Sequence, residues 1–408
     1  MSTGIFSSFN FTTDSARKSF AAQFIRLMPN GNAPLFGMTG MLAEETALAV
    51  EHGFFSKTML FPQLICSAAG QTATDTVFTV TTTINVLAGM VMRVNNAGGE
   101  NVIINNVLSP TQVQVIRGVG TAPPAAIGAN LALFQVGNAF EESSVRPAAL
   151  AINPVRITNL TQIFRNTWAI SGSVAATEML VGETNISENR TDCAAFHGAD
   201  IEKALFWGQR GTSFRNGQPI RMLDGLFSII NNLAFYPPSY TAVNVNAAGA
   251  TTNYTQFEGF LDPCFNQTTD PKYANERLLF VGGVARRVIN NIGRTNGTYF
   301  LQHGQTDFGL QFDTFRIARG TFRMIEHPLF NSNAAWAAVA FAVDLPTFNV
   351  AYLGNRKTMN KEFNSEGDMV ADNGIDAVGG TLTTELTCLV KNPPACAVIT
   401  GLTASAVG

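Results

Sequence analysis

Charge is the scarcest ingredient of this chain. Asp, Glu, Lys and Arg together make up 13% of its 408 residues, about half the share usual in soluble domains. Of the 26 basic residues only 7 are lysine, and none lies between Lys57 and Lys203. Long apolar runs are missing too. The longest, Ala334 to Val343, meets Asp344 after ten residues, far short of the ~20 that a membrane-spanning helix needs. The opening M-S-T-G-I-F-S-S-F-N carries no basic region ahead of an apolar core, the pattern of a secretory signal. The five cysteines (Cys66, Cys193, Cys264, Cys388, Cys396) include no C-x-x-C pair, which excludes zinc-ribbon and thioredoxin motifs. Reduced thiols in a cytosolic compartment are therefore expected. Catalytic signatures are likewise lacking: no G-x-x-x-x-G-K-[ST], no G-x-S-x-G and no H-E-x-x-H occurs, so phosphate-loop, serine-hydrolase and zincin chemistry have no foothold. Gly118 and Gly120 lead into Pro123-Pro124, where a phosphate-cradling helix cannot start. A net charge of −3 gives no general attraction to nucleic acid.

What is present is apolar residue in quantity, 46% of the chain. With little charge and no membrane span, that implies a folded surface largely covered by other protein copies. The spacing predicts a short helix near the start, capped by Thr13 or Asp14, with Phe20, Phe24 and Leu27 at helical intervals and a stop at Met28-Pro29-Asn30-Gly31. Residues 30–60 have no clear period and read as an extended or partly helical connection. From 70 to 140 the pattern becomes strand-like. Met90, Met92 and Val94 alternate with Val91, Arg93 and Asn95, and Val113 and Val115 with Gln112 and Gln114, the two-residue period of half-buried strands. Five such runs, with a hairpin signal at Gly98-Gly99, predict a small β-barrel or sandwich, followed by a linker from Glu141 to Ala149. A helix of about 22–24 residues is expected from Asn185 to the glycines 208 and 211, spanning roughly 35 Å. Beyond it lie mixed elements, among them a helix ending at Gly293 and an alternating C-terminal stretch.

The long helix poses the chemical question. Cys193 and His197 stand four residues apart, with Asp200 three further on, so all three fall toward one helix face. A zinc site needs three or four converging ligands, and the other histidines (His52, His303, His327) are scattered. The small residues Ala194, Ala195, Gly198, Ala199 and Ala204 suit close packing by several neighbours. The expected reading is a packing helix with no catalytic, cofactor or metal site. A metal-dependent hydrolase built on Cys193, His197 and Asp200 is the rival. Arg286, Arg287 and Arg294 read as an exposed helix face.

The order of these parts resembles a tailed-bacteriophage major capsid protein of the Hong Kong-97 fold, in the family with a β-domain inserted in its extended loop. The stretches that carry the likeness are P-N-G-N-A-P-L-F-G-M (Pro29 to Met38), G-M-V-M-R-V with V-I-R-G-V-G-T, G-N-A-F-E-E-S-S, T-Q-I-F-R-N-T-W-A-I-S-G-S, D-I-E-K-A-L-F-W-G-Q, M-L-D-G-L (Met222 to Leu226) and the closing K-N-P-P-A-C-A-V-I-T-G-L. The resemblance implies an α+β fold divided as N-terminal arm and connection (1–58), extended loop with inserted barrel (59–150), peripheral domain with the long spine helix (151–224), axial domain (225–375) and a return strand of the peripheral domain (376–408). It implies a structural, non-enzymatic subunit that self-assembles into hexamers and pentamers of an icosahedral shell enclosing double-stranded DNA. Portal and scaffolding proteins are the expected partners, with a cement protein as an optional one; DNA is held without sequence-specific binding, no membrane is involved, and assembly in the host cytoplasm yields the virion head. A cellular nanocompartment shell of encapsulin type is the alternative. Expected assembly contacts are Phe20, Phe24 and Leu27 of the arm, with Arg93, Arg117, Glu141 and Glu142 as Arg-carboxylate pairs. Some members of the fold weld subunits through a lysine on the extended loop. With only Lys57 at its border here, a noncovalent shell is expected.

Overall fold

The computed structural model describes residues 33–40, 44–57, 62–95, 98–149, 154–177, 185–236, 240, 242–267, 275–296, 302–307, 310–363 and 376–404. The chain forms two compact units, one of residues 1–54 and 157–408, the other of residues 55–156. It leaves the first and returns to it through the paired strands Glu51–Ser56 and Val155–Leu160.

The smaller unit is a barrel. Its strands run in the order Gln63–Ile65, Ala132–Asn138, Met90–Val94, Asn101–Ser109, Gln112–Val119, Val77–Thr79. The first and last are joined by Ser67 N–H to Thr79 O and Thr81 N–H to Ile65 O, both 2.9 Å, around a Cys66–Val80 bridge. Closure removes the open edges that would otherwise pair with foreign strands. The period-two pattern sets what faces inward: Met90, Met92, Val94, Val113 and Val115 are buried with Leu64, Phe78, Val102, Ile104 and Leu133, while Arg93 and Ile116 lie outside. Six strands rather than the expected five make the sheet. The extra one, Gln63–Ile65, is three residues long and too short to register as a period.

In the larger unit a helix of 23 residues, Asn185–Trp207, lies on a five-stranded sheet. The sheet is ordered Glu45–Ala47, Phe348–Leu353, Ala377–Val390, Gln162–Ser171, with Met359–Phe363 also paired to Ala377–Val390. Cys193, His197, Ile201 and Leu205 repeat every fourth residue and are buried, the stripe that a sheet-packed helix requires. The helix stops where two glycines let the chain cross itself. A Cβ on Gly208 would come within 2.7 Å of Leu223 O, and one on Gly225 within 2.6 Å of Gly208 N, so no other residue fits either position without moving backbone. Between them the chain makes the hairpin Gly211–Arg215/Gln218–Met222, turned by Asn216 and Gly217, both at positive φ, as a two-residue hairpin turn demands.

A second sheet of seven strands runs Val245–Ala247, Ala397–Thr400, Ala340–Val343, Glu276–Val281, Thr321–Glu326, Leu310–Arg316, Gln302–Asp307. The helix Gly283–Asn296 buries Ala285, Val288, Ile289 and Ile292 in the cluster of apolar residues that this sheet shares. Gly293 does not end that helix, as the sequence suggested; it is buried within it, and a single interior glycine costs only about 1 kcal/mol. Strands Phe348–Leu353 and Met359–Phe363 belong to the sheet of the long helix. The C-terminal stretch serves both sheets, Ala377–Val390 in one and Ala397–Thr400 in the other, because the 3-10 turn Pro393–Ala395 redirects it between them.

Candidate assembly surfaces

The face of the long helix that raised the chemical question is filled. Cys193 is buried against Trp168 and Leu382, and burial pushes its thiol pKa up, away from the thiolate that a ligand or nucleophile must be. His197 is tied to both neighbouring strands: its Nδ1 lies 2.7 Å from Asn166 Oδ1 and its Nε2 2.7 Å from Thr384 Oγ1. Asn166 spends its amide on Asp200 Oδ2, at 3.1 Å. Its oxygen therefore accepts from an Nδ1–H, and the Thr384 hydroxyl donates to Nε2. Burial holds His197 below its usual pKa, against the pull of Asp200, consistent with a neutral ring. Asp200 also pairs with Lys203. Of the three residues that a metal-hydrolase reading would use, Cys193 thus packs against apolar side chains, His197 bonds both strands, and Asp200 pairs with Asn166 and Lys203. Among the described residues no group of three or more His, Cys, Asp or Glu is placed to hold a metal ion.

A feature that sequence reading missed lies further along the same helix. Glu202, fully buried, accepts hydrogen bonds at Oε1 from Leu35 N–H and at Oε2 from Phe36 N–H, both 2.8 Å. His327 Nε2 lies 2.8 Å from Oε1. These two amides open the short helix Pro34–Thr39, whose first N–H groups have no partner of their own. The carboxylate thus fastens the root of the N-terminal segment to the long helix, inside a ring cluster of Phe206, His327 and Phe330. The sequence offered only a glutamate on a helix and a distant histidine, with no spacing to join them.

Of the expected contact residues, Phe20, Phe24 and Leu27 lie outside the described residues. Arg117 is placed as an internal strut of the barrel. Its Nε and Nη2 grip the two oxygens of Glu100 at 3.0 and 2.6 Å, and it also donates to Thr72 O and Ala125 O. Both side chains are almost wholly buried, at 5% and 2% exposed, and the guanidinium sits 5.3 Å from the Phe78 ring centre. Burial raises the Glu100 pKa, but the hydrogen bonds from Arg117, Gly118 and Ala125 outweigh it and hold the carboxyl below its ordinary value. Every polar atom the pair could offer a neighbour is engaged at home. Arg93, Glu141 and Glu142 are exposed, as is Lys57.

Exposed apolar side chains mark the rest of the surface. Phe196 on the outer face of the long helix is 65% exposed, and Phe214 on the two-stranded hairpin 73%. On the barrel, Phe134, Val136 and Ile116 are 45, 55 and 49% exposed. Single exposed apolar residues are ordinary, but rows of them on rigid strands are what a surface made to be covered looks like.

The family model described as SU10 major capsid protein matches residues 4–403. The major capsid protein of Pseudomonas phage PaMx41 is 35% identical over 396 residues, which cover 94% of this chain and 92% of that protein. Among solved structures, the capsid of an empty GTA particle is similar with a TM-score of 0.48 at 10% identity, covering 98% of each chain. A structure from Mycobacterium phage Adephagia has a TM-score of 0.47 at 9% identity, covering 97% of this chain and 98% of that one. The two sequence matches define the class: a structural capsid protein of a phage, whose copies associate to form the shell of the virion head. Within that class, the chain belongs to the SU10 major capsid protein family.

Proposed function

We propose that the chain is a Hong Kong-97-type subunit that closes an icosahedral shell from hexamers and pentamers around double-stranded DNA, and that it carries out no catalysis. In this reading residues 1–58 are the arm and its connection, 59–150 the extended loop with its barrel, and 151–224 the peripheral domain. Residues 225–375, which supply six of the seven strands of the second sheet and its helix, are the axial domain, and 376–408 is the return strand of the peripheral domain, its last strand Ala397–Thr400 also completing the second sheet. Portal and scaffolding proteins are the partners during assembly in the host cytoplasm, and a cement protein is an optional addition. The observation that carries the reading is the excursion of residues 55–156 into a unit with its own apolar core, inserted ahead of a 23-residue helix that lies on a sheet. The slightly negative net charge suits a wall that encloses DNA without adhering to it.

The nanocompartment alternative differs in what the shell contains. Particles purified from producing cells, treated with nuclease and then opened, should release protected DNA of uniform, genome-scale length. Release of a single protein species with no protected DNA would contradict the reading.

A further inference from the structure

We infer that the outer wall of the barrel carries a docking band for the same band of a second copy, with Arg93 of each copy meeting Glu141 and Glu142 of the other. The strand register places the band. Val91 stands opposite Ile103, and Ile103 opposite Ile116, so three aliphatic side chains form one row across three strands, each about 5 Å from the next. Val91 also faces Gly137, beside a bulge that leaves Val136 projecting. In the adjoining row Arg93 faces Phe134 on one side and Asn101 on the other. Phe140 extends the band at the strand start, its ring resting where a side chain on Gly89 would be, 2.2 Å from the ideal Cβ position. This is a closed sheet with its core already filled from within. The outward row is left half-buried at Val91 and Ile103 and exposed at Ile116.

The choice of occupant comes from charge. Directly after Phe140 the chain makes a tight turn, with Ser144 N–H bonded to Glu141 O at 3.2 Å and Ser143 at positive φ. The turn presents Glu141 and Glu142, both exposed, and then Val145, 86% exposed. Each band thus offers one arginine among aliphatic side chains and, at its margin, two carboxylates followed by a valine. Two such surfaces related by a two-fold axis satisfy each other: residue i meets residue j and j meets i. Aliphatic rows bury against aliphatic rows, and each guanidinium gains a carboxylate in a partly desolvated setting where such pairs are strongest.

The inference rests on the chain's assembly into a shell, so shell formation by the unaltered full-length protein is the control. If that protein forms no shells, the shell reading is what fails. Given shells, Arg93→Glu alone and Glu141→Arg with Glu142→Arg should each lower shell yield at least about tenfold, and the three changes together should restore it to within about twofold. A photo-crosslinking amino acid at position 136, in shells assembled from mixed 14N- and 15N-labelled chains, should give mixed-mass crosslinks joining position 136 to residues 89–145 of another copy. The crosslinking arm uses folded, assembled protein and so decides the matter even where a charge variant fails to fold. Wild-type yield from Arg93→Glu, no rescue by the triple variant, or crosslinks confined to one chain or to residues outside 89–145 would each overturn the contact.

Discussion

Replacing Glu202 by glutamine removes one oxygen acceptor and changes almost nothing else in shape. In the native protein Oε1 serves Leu35 N–H and His327 Nε2, and Oε2 serves Phe36 N–H. A glutamine can place its single oxygen at only one of those positions. With the oxygen toward Leu35, the amide NH2 faces the Phe36 N–H; flipped, it faces the Leu35 N–H. Either way one backbone donor is set against another donor at a site where Glu202 and Leu35 are 0% exposed. A buried donor left without a partner costs about 1–3 kcal/mol. A loss of about 2 kcal/mol in local opening speeds amide exchange roughly 30-fold. Glu202→Ala strips all three bonds and should exceed that, up to about 3–5 kcal/mol, limited by release of the short helix and its buried Leu35 and Met38. The assay is hydrogen exchange resolved at Leu35 and Phe36 in the purified subunit, with exchange in the barrel strand Met90–Val94 as internal reference. Faster exchange at the two amides with an unchanged barrel is the expected result. Native-like exchange at Leu35 and Phe36 in Glu202→Gln would refute the clasp.

Acid should loosen the subunit in two stages. Burial lowers the His197 pKa, so its contribution is present above the unfolded value of ~6.5 and is lost as pH falls through the folded one. The Glu100 carboxyl, held low by Arg117 against the effect of burial, contributes above an unfolded value of ~4.3 and loses that on further acidification. Thermal midpoints measured from pH 7 to pH 3 should therefore decline in both windows, His197→Gln flattening the upper one and Glu100→Gln the lower; a profile unchanged by either variant would contradict the assignment. Replacing residues 62–138 by a short Gly/Ser linker should leave a soluble chain with the far-ultraviolet signature of the larger unit but weakened assembly, and an insoluble product would count against an independent barrel. Boiling mature shells in detergent under reducing conditions should yield monomers of 43.7 kDa, whereas a surviving ladder of covalent oligomers would point to Lys57.

The barrel was legible in the sequence because its strands are half-buried: Met90, Met92 and Val94 face in while Val91 and Arg93 do not, and a period of two survives translation into sequence. The long helix was legible from its ends, the capping pair Asn185 and Glu188 and the glycines 208 and 211, and the structure adds a buried residue at every fourth position from Cys193 to Leu205. Pairings over long sequence distances were not. Nothing local to Glu202 announces Leu35 or His327, 167 and 125 residues away. Strands buried on both faces, such as Glu276–Val281 with five buried residues in succession, carry no period to show which sheet they join. The partner of Arg117 was hidden for a related reason: only the fold reveals Glu100, 17 residues away. Arg93 and Glu141 were identifiable as exposed charges, but the aliphatic row beside them exists only once strand register is known.

The account stands or falls on closure of a shell by this chain. Cryo-electron microscopy of the purified full-length protein after assembly should reveal closed isometric particles whose walls resolve into rings of six and, at the vertices, rings of five, each subunit contributing one copy of the 23-residue helix. A protein that stays monomeric under every assembly condition, or that builds only open tubes or sheets without five-fold vertices, would contradict it.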